Sequence, residues 1–393
     1  AGLLLFLRLS LPYSEETDAV LRIMSLAIFP EAVFSLGQAL FTANERLAVP
    51  TVAAIVNSVI RLGLGVWLLY SGAGAVAVAW VIPLSTTISL LVFPPAMIHL
   101  FRRVPQKPSS MRLNWNFSRE QMRFTKGIVM LEVFQTLNFQ LDTFLISLLL
   151  SETAVGYYGA SQIILAGFLM IPVAVRLGLY PLMARYKHQD TTRLAHLYHK
   201  SSQYLIVMGL PIAAGVFIVA EPIIFLVFGE SFAPAVPALQ ISIWALVFAM
   251  ITVPNARLML VDNRQKQASW LRGLTMIVSV GLNLLLIPRL GINGAAFARL
   301  AGPAVFFIFV YVYVQKWLMR DNILPELIRP LIATIIMAAV VWPMRDMFIL
   351  IPIAAGMLIY TLLIMLLGVV TAEDRIYLRQ IFSHKVVLSL IHI

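Results

Sequence analysis

The chain has 393 residues, of which 60% are hydrophobic and 12% charged, whereas soluble globular domains carry about 25% charged residues. This composition excludes an ordinary soluble enzyme and predicts a polytopic membrane protein. The 29 lysines and arginines outnumber the 18 acidic residues, which gives a formal net charge of +11. Because the basic residues lie in short loops between apolar spans, the excess follows the positive-inside pattern and implies no nucleic-acid partner. The absence of cysteine excludes disulfides, thiol catalysis and cysteine metal sites.

Long apolar stretches predict about eleven complete transmembrane helices, since about 20 residues at about 1.5 Å each cross a bilayer. They follow the tail of a partial helix at residues 1–11, so we expect an N-terminally truncated bundle. No segment between the predicted spans is long enough for a soluble catalytic domain. The predicted spans are residues 19–42, 50–70, 74–101, 127–150, 154–183, 202–228, 236–260, 268–288, 292–318, 328–349 and 351–371.

The basic residues predict the orientation of these helices. Residues 102–126 carry seven of them, and alternate loops after this segment carry more. The loops on the opposite side contain only two basic residues, Arg289 and Arg345. By the positive-inside rule, the basic loops and the C-terminus are cytoplasmic. We therefore expect a multi-pass protein of the inner, cytoplasmic cell membrane.

Two parts of the chain resemble each other at a separation of about 220 residues. Loop charges place both copies in the same orientation, so we expect two parallel lobes related by an axis along the membrane normal, with a cleft between them. The matching features are Asn44–Arg46 with Asn263–Arg264, the helices containing Asn57 and Asn283, and Gly72–Ala79 with Gly291–Ala298.

This register predicts five parts. The truncated N-lobe, with the end of a third helix and helices four to six, precedes a basic cytoplasmic linker and a C-lobe of helices seven to twelve. Two extra helices and a cytoplasmic tail follow. In chain order the five parts are residues 1–101, 102–126, 127–318, 325–372 and 373–393.

The apolar span 127–150 carries a stripe of four polar residues. They are spaced by three, three and four residues and therefore share one helical face. A carboxylate in hydrocarbon costs several kcal/mol, so we expect this stripe to face the interlobe cleft and to tune it or bind a coupling ion, H⁺ or Na⁺. The alternative is a satisfied packing stripe inside a helix bundle. The stripe consists of Glu132, Gln135, Asn138 and Asp142, and Glu31 is a further acidic candidate in the first complete span.

Arg61, Arg176 and Arg299 also lie inside predicted spans. A guanidinium fork matches phosphate bidentately, so arginines that face a cleft suit an anionic ligand. The alternative is that they pair with the acidic residues above as structural bridges, or snorkel to the membrane interface. The sequence contains no Walker A motif, and we predict neither a metal site nor a cofactor.

Several stretches resemble landmarks of the prokaryotic polysaccharide (O-antigen type) flippases. These belong to the multidrug/oligosaccharidyl-lipid/polysaccharide exporter superfamily. The landmarks occur in the family's order over essentially the whole chain, and their specificity lies in the ensemble rather than in one motif. They are residues 141–147, 154–160, 181–185, 228–234 and 290–296.

The resemblance implies an all-α protein with two six-helix lobes and two further C-terminal helices. It also implies the movement of polyprenyl-diphosphate-linked oligosaccharide from the cytoplasmic to the outer leaflet by alternating access, in cell-surface polysaccharide biosynthesis. Glycosyltransferases and a polymerase would be functional partners. A cationic interlobe cavity recurs in the family, and Arg61, Arg176 and Arg299 are the candidates for it here.

Two other functions remain possible at this point. A multidrug cation antiporter of the same superfamily would bind its substrate with acidic residues, which an arginine-rich cleft disfavours. A membrane-embedded polymerase or glycosyltransferase would need a sizeable extracytoplasmic loop, but every predicted loop on that side has only a few residues. A structural scaffold is disfavoured by the charges within the membrane.

Overall fold

The computed structural model describes residues 14–44, 46, 48–103, 115–319 and 324–369. Every regular element among these residues is an α-helix or a short 3₁₀ helix, which confirms the predicted all-α membrane-protein class. Nine helices of this described part are long and apolar enough to cross a membrane. Gln140–Leu149 and Leu350–Leu366 are shorter apolar helical segments. The predicted total of about eleven complete spans and a partial one, and the truncation, stay predictions.

Contacts between Cα atoms divide the chain into an N-terminal unit, residues 1–113, and a C-terminal unit, residues 114–393. This division falls inside the predicted linker 102–126. The five-part organisation expected from the sequence stays a prediction.

The N-terminal unit is built around three phenylalanines. Phe93 stacks on Phe41 with ring centroids 5.9 Å apart and meets Phe34 edge-on at 5.4 Å. The predicted span 74–101 is interrupted at Trp80 and again by a 3₁₀ turn at Leu90–Val92. The helices of this unit are α1 (Glu15–Ala43), α2 (Ala48–Tyr70), α3 (Ala75–Ala79), α4 (Val81–Ser89) and α5 (Phe93–Arg103).

The C-terminal unit contains ten helices among its described residues, together with 3₁₀ turns at Glu230–Phe232 and Trp342–Met344. The helices are α6 (Trp115–Leu149), α7 (Glu152–Gln189), α8 (Thr191–Ile218), α9 (Ala220–Phe228), α10 (Ala235–Ser242), α11 (Ala245–Val261), α12 (Gln265–Leu290), α13 (Ile292–Trp317), α14 (Leu324–Val341) and α15 (Leu350–Leu366).

Several boundaries differ from the sequence-based expectation, and the expected span 236–260 is also two helices, α10 and α11. Helix α6 begins at Trp115, well before the expected start at residue 127. The expected span 202–228 is two helices, because α8 already begins at Thr191 and ends at Ile218. The Asp190 side chain caps α8 by accepting hydrogen bonds from the backbone N–H groups of Thr192 and Arg193, at 2.9 and 3.1 Å. This N-cap lets the polar segment start a helix that then becomes apolar.

Helix α11 lies at the centre of the C-terminal unit and packs against α7, α8 and α13. Its side chains Leu246 and Met250 are fully buried in the main apolar core. Asn255, on the same helix, is also buried and accepts a hydrogen bond of 2.8 Å from the hydroxyl of Tyr198. Because this buried polar group has a partner, it does not oppose the packing of α8 on α11.

Glycines set the spacing of α6, α12 and α13. A Cβ at Gly294, near the start of α13, would lie 2.3 Å from the carbonyl oxygen of Leu286 on α12. A Cβ at Gly273 of α12 would lie 3.3 Å from the ring of Phe134 on α6. Close approach of these backbones therefore depends on the absence of a side chain.

Helices α14 and α15 attach to α8. The hydroxyl of Tyr360 donates a hydrogen bond of 2.8 Å to the carbonyl of Val207. At the start of α14, Glu326 lies 2.6 Å from Nε2 of His199. A second apolar core, which includes Ala333 and Met337, fills this part of the unit.

Candidate functional site

The C-terminal unit contains a cavity of about 270 Å³ between α6, α7, α11, α12 and α13. We call it the arginine cavity, because four arginines line it and no carboxylate is among its described lining residues. The arginines are Arg176, Arg257, Arg272 and Arg299.

Small residues of α11 create the room for this cavity. Ala245, Ala249, Thr252 and Ala256 follow at spacings of four, three and four residues, so they share the helical face that lines it. Prolines of α7 and α13 line it as well, and each removes a helical hydrogen bond in the wall. Such irregular backbone is tolerated within a membrane where it is buried in protein or lines a water-filled cavity.

Arg299 is held by a buried network around Asp142. Arg299 Nη1 lies 3.7 Å from Oδ2 of Asp142, and the two side chains are 8% and 2% exposed. The same carboxylate accepts a 3.0 Å hydrogen bond from the hydroxyl of Tyr158 and a 2.8 Å bond from Nδ2 of Asn283. A buried charge requires such partners. The network fixes a guanidinium that also lines the cavity.

Asn138 lies one helical turn before Asp142 and lines the arginine cavity. Its Nδ2 atom is buried and has no hydrogen-bond partner among the described residues. A buried amide donor without an acceptor costs free energy. This donor therefore suits an acceptor that enters the cavity.

The remaining arginines lie on other walls of the arginine cavity. The guanidinium carbon of Arg272 lies 3.5 Å from the ring centroid of Phe306, a cation–π contact that restrains it. Arg176 of α7 and Arg257 of α11 are half-buried. Together the four side chains offer planar N–H donors from four helices, an arrangement suited to an anion with several oxygens.

Two of the predicted residues lie in the other unit. Arg61 Nη2 lies 3.4 Å from Oε1 of Glu31, which also accepts a 3.0 Å hydrogen bond from the hydroxyl of Thr86. The side chains of Arg61 and Glu31 are 43% and 45% exposed. Their role as cleft residues stays a prediction.

The structure thus brings Arg176, Arg299 and Asn138 to one cavity, with Asp142 directly behind it. The side chains of Glu132 and Gln135 lie outside the described part of the chain. Whether the stripe on α6 faces an interlobe cleft stays a prediction.

Arg257 and Arg272 were not among the predicted site residues. The charge pattern groups Arg272 with a basic loop, although it lies one turn inside the predicted span 268–288. Its depth within the span, on the same face as the small residue Ala268, is the signal that could have identified it.

Comparisons with known proteins give a consistent result. A family model described as "Polysaccharide biosynthesis protein" matches residues 10–237. The chain is also similar to a probable lipid II flippase MurJ of Rhizobium meliloti (strain 1021), with 26% identity over 229 residues. This match covers 54% of the chain but only 42% of that relative, so the chain corresponds to less than half of the relative's length.

Two solved structures share the fold. The lipid II flippase MurJ in an inward closed conformation superposes with a TM-score of 0.75 and 14% identity, over 89% of this chain and 74% of that one. A point mutant of the Vibrio cholerae MATE transporter VcmN gives a TM-score of 0.59 and 17% identity, over 82% of this chain and 76% of that one. At these identities the similarity is one of fold alone.

Proposed function

The chain belongs to the polysaccharide biosynthesis protein family, and from this premise we propose that it is a flippase for a polyprenyl-diphosphate-linked oligosaccharide. It moves this substrate from the cytoplasmic to the outer leaflet by alternating access. The family match confirms the resemblance recognised in the sequence. The name of the Rhizobium meliloti relative, a probable lipid II flippase, supports a lipid-linked substrate.

The arginine cavity is the observation that carries this proposal. A diphosphate presents several anionic oxygens, which pair bidentately with guanidinium groups. The cavity offers four such groups and no carboxylate among its described lining residues. Its volume of about 270 Å³ lies just below the range of about 300–1,000 Å³ for small-molecule pockets, so it has room for a small anionic group rather than the whole substrate. The cavity therefore binds the diphosphate, while the glycan stays in the aqueous phase and the prenyl chain stays in the lipid.

Asn138 and Asp142 support the same assignment in different ways. The buried amide of Asn138 supplies a further donor for a phosphate oxygen. Asp142 accepts from Tyr158 and Asn283 and lies beside Arg299, so it is a positioning residue that holds this guanidinium at the cavity wall. These contacts favour a positioning role for Asp142 over the expected ion-coupling role.

Proline-containing helices support alternating access. Pro172, Pro211, Pro254 and Pro303 each lie inside a helix of the C-terminal unit. Helices bend at prolines, and Pro172, Pro254 and Pro303 lie on helices that line the cavity, so its walls can change direction there as the protein opens and closes.

The loop charges support an inner-membrane protein with a cytoplasmic C-terminus. In this orientation the substrate is collected where glycosyltransferases assemble it and released where a polymerase uses it. A C-terminal reporter that is active only in the cytoplasm tests the orientation, and its inactivity would reverse it.

The test of the main proposal uses proteoliposomes that contain the full chain and a fluorescent polyprenyl-diphosphate oligosaccharide. We expect Arg176→Gln and Arg272→Gln each to weaken binding about 10- to 100-fold, because a hydrogen bond to a charged group contributes about 1.5–3 kcal/mol. Flipping, measured as the labelled lipid that becomes accessible to a quencher, should fall in parallel.

Arg345→Gln is the matched control, because Arg345 lies outside the cavity beside Asp346 and is exposed. It should bind and flip as the unaltered protein does. Equal binding by the unaltered chain and both cavity variants would contradict the assignment of this cavity to the diphosphate.

The fold similarity to a MATE transporter keeps cation antiport as a second candidate. The same proteoliposomes distinguish the two, since an antiporter would export a fluorescent organic cation against a proton or sodium gradient. The arginine lining disfavours a cationic substrate. The polymerase and glycosyltransferase alternative loses support, because the structural neighbours with this fold are named a flippase and a transporter.

A further inference from the structure

A second, larger recess lies between α6 and α12 on the C-terminal unit. Its volume is about 1,260 Å³, and its lining is mostly apolar. Helix α6 contributes Lys126, Met130 and Phe134, which are spaced four residues apart and share one face. We call this recess the α6–α12 groove. It has no lining residue in common with the arginine cavity.

The two helices that form the groove run in the same direction. Phe134 of α6 meets Gly273 of α12, and further along both helices Asp142 meets Asn283. Lys126 and Lys266 lie about two turns before the first of these contacts, on α6 and α12 respectively. Both lysines are therefore at the same end of the groove.

This end of the groove is basic. Among the residues that the structure describes, neither Lys126 nor Lys266 forms an ion pair, hydrogen bond or cation–π contact. The acidic residue nearest to Lys266 in sequence, Asp262, already pairs with Lys187 and Arg264. Both lysines thus remain available to an anion.

The rest of the groove is a hydrocarbon surface. Met130, Leu274 and Ile277 are 46%, 47% and 70% exposed. Trp270, one turn beyond Lys266, is 69% exposed. Tryptophan and lysine together are typical of the membrane–water interface, with the aromatic ring at head-group level. The groove therefore changes from cationic to apolar along its length.

We propose that the α6–α12 groove binds a phospholipid of the surrounding bilayer that has an anionic head group. Its phosphate meets Lys126 and Lys266, and its acyl chains lie along Met130, Leu274 and Ile277. Charge complementarity selects this occupant, since basic pockets between transmembrane helices bind anionic head groups. The site is distinct from the proposed substrate cavity, because the two are lined by different residues.

Binding in the groove would act on the arginine cavity through α12. Arg272 lines the cavity, whereas Gly273, the next residue, lines the groove. A lipid that packs on α12 stabilises the helix that carries this cavity arginine. The phospholipid is thus a candidate regulator of anion binding as well as a ligand.

The test measures phosphatidylglycerol bound to the full chain in phosphatidylcholine nanodiscs, by native mass spectrometry with increasing phosphatidylglycerol content. Each basic residue near an anionic surface contributes about 1 kcal/mol, so Lys126→Gln with Lys266→Gln should weaken binding about thirtyfold. Leu274→Trp should also weaken it, with both lysines intact, because the larger ring fills the apolar part of the groove.

Lys200→Gln with Lys316→Gln is the matched control, since it removes the same number of positive charges from other helices of the same unit. It should leave binding near that of the unaltered protein. Unchanged binding in the groove variants, or an equal loss in the control, would overturn the proposal. So would one-for-one displacement of phosphatidylglycerol by a polyprenyl diphosphate, because the groove would then hold the substrate's own chain. None of these measurements depends on flipping.

Discussion

Each unit of the chain pairs an arginine with a carboxylate inside apolar helices, but in different surroundings. In the C-terminal unit, Arg299 and Asp142 are 8% and 2% exposed, and Tyr158 and Asn283 complete the network. In the N-terminal unit, Arg61 and Glu31 are 43% and 45% exposed. The first pair is part of a packed core, whereas the second lies at a surface of its unit.

The difference indicates how each arginine can be used. Arg299 cannot leave Asp142 without exposing a buried charge to an apolar environment, so it acts as a fixed element of a cavity. Arg61 has more freedom to rotate away from Glu31, because much less protein is packed around this pair. A guanidinium in a fixed position selects an anion by geometry, whereas a mobile guanidinium can stay in contact with an anion that moves.

The largest effect is expected at the buried pair. Asp142→Ala should lower the free energy of unfolding by about 3–5 kcal/mol, because it leaves Arg299 buried without its counter-charge. It also removes the acceptor of Tyr158 and Asn283. Thermal unfolding of the detergent-solubilised protein measures this loss.

The double variant Asp142→Ala with Arg299→Leu provides the control. Removing both charges should restore part of the lost stability, as expected for a coupled pair. Losses that simply add would show that the two side chains are independent and would remove the contrast between the units.

A carboxylate of intermediate exposure, Asp262, lies outside the membrane-spanning segments and has two basic partners. It provides a third case for the comparison. Asp262 is 22% exposed and bonds to Lys187 and Arg264. Burial alone would raise the pKa of Asp262, but the hydrogen bonds from Lys187 and Arg264 lower it below its ordinary value. The ionised carboxylate therefore stabilises the folded state, by about 1 kcal/mol for a partly exposed pair.

This contribution should be complete above the unfolded pKa of about 3.9 and lost as the pH falls through the lower folded pKa. The stability difference between the unaltered protein and Asp262→Asn should thus be constant from about pH 5 to 7 and vanish in stronger acid. Thermal unfolding across this range measures it. A stability difference that increased as the pH fell would contradict the lowered pKa assigned to Asp262.

The smallest effect is expected at the exposed pair. Glu31→Gln should lower the free energy of unfolding by less than Asp142→Ala does, because much less protein is packed around this pair. The amide can still accept the hydrogen bond from Thr86. Thermal unfolding measured as for the buried pair gives this value. A loss as large as that of Asp142→Ala would show that the two pairs do not differ in kind.

Hydropathy was sufficient to predict the helical class and most apolar spans, because burial in lipid requires long apolar runs. Interruptions were harder to predict. Val219 separates α8 from α9, and Trp80 separates α3 from α4. Pro222 and Pro83 each follow these positions by three residues, and a proline shortly after a helix is a stop signal that hydropathy does not register.

The candidate site was only partly predictable for a related reason. The stripe on α6 and the arginines within spans identified Asn138, Asp142, Arg176 and Arg299 as exceptional residues. Periodicity could not show that Asp142 meets Arg299, because the two residues are 157 positions apart and meet only when α6, α12 and α13 pack. The charge pattern also grouped Arg272 with a loop, since charge alone does not reveal the depth of a residue in a helix.

Gly294 has a consequence for genetics as well as for packing. A methyl group there would overlap the carbonyl of Leu286, so any substitution must push α12 and α13 apart. Arg272 and Arg299 lie on these two helices and would separate with them. A screen for loss-of-function alleles should therefore recover substitutions at Gly294 as readily as those at the arginines, although Gly294 does not line the arginine cavity.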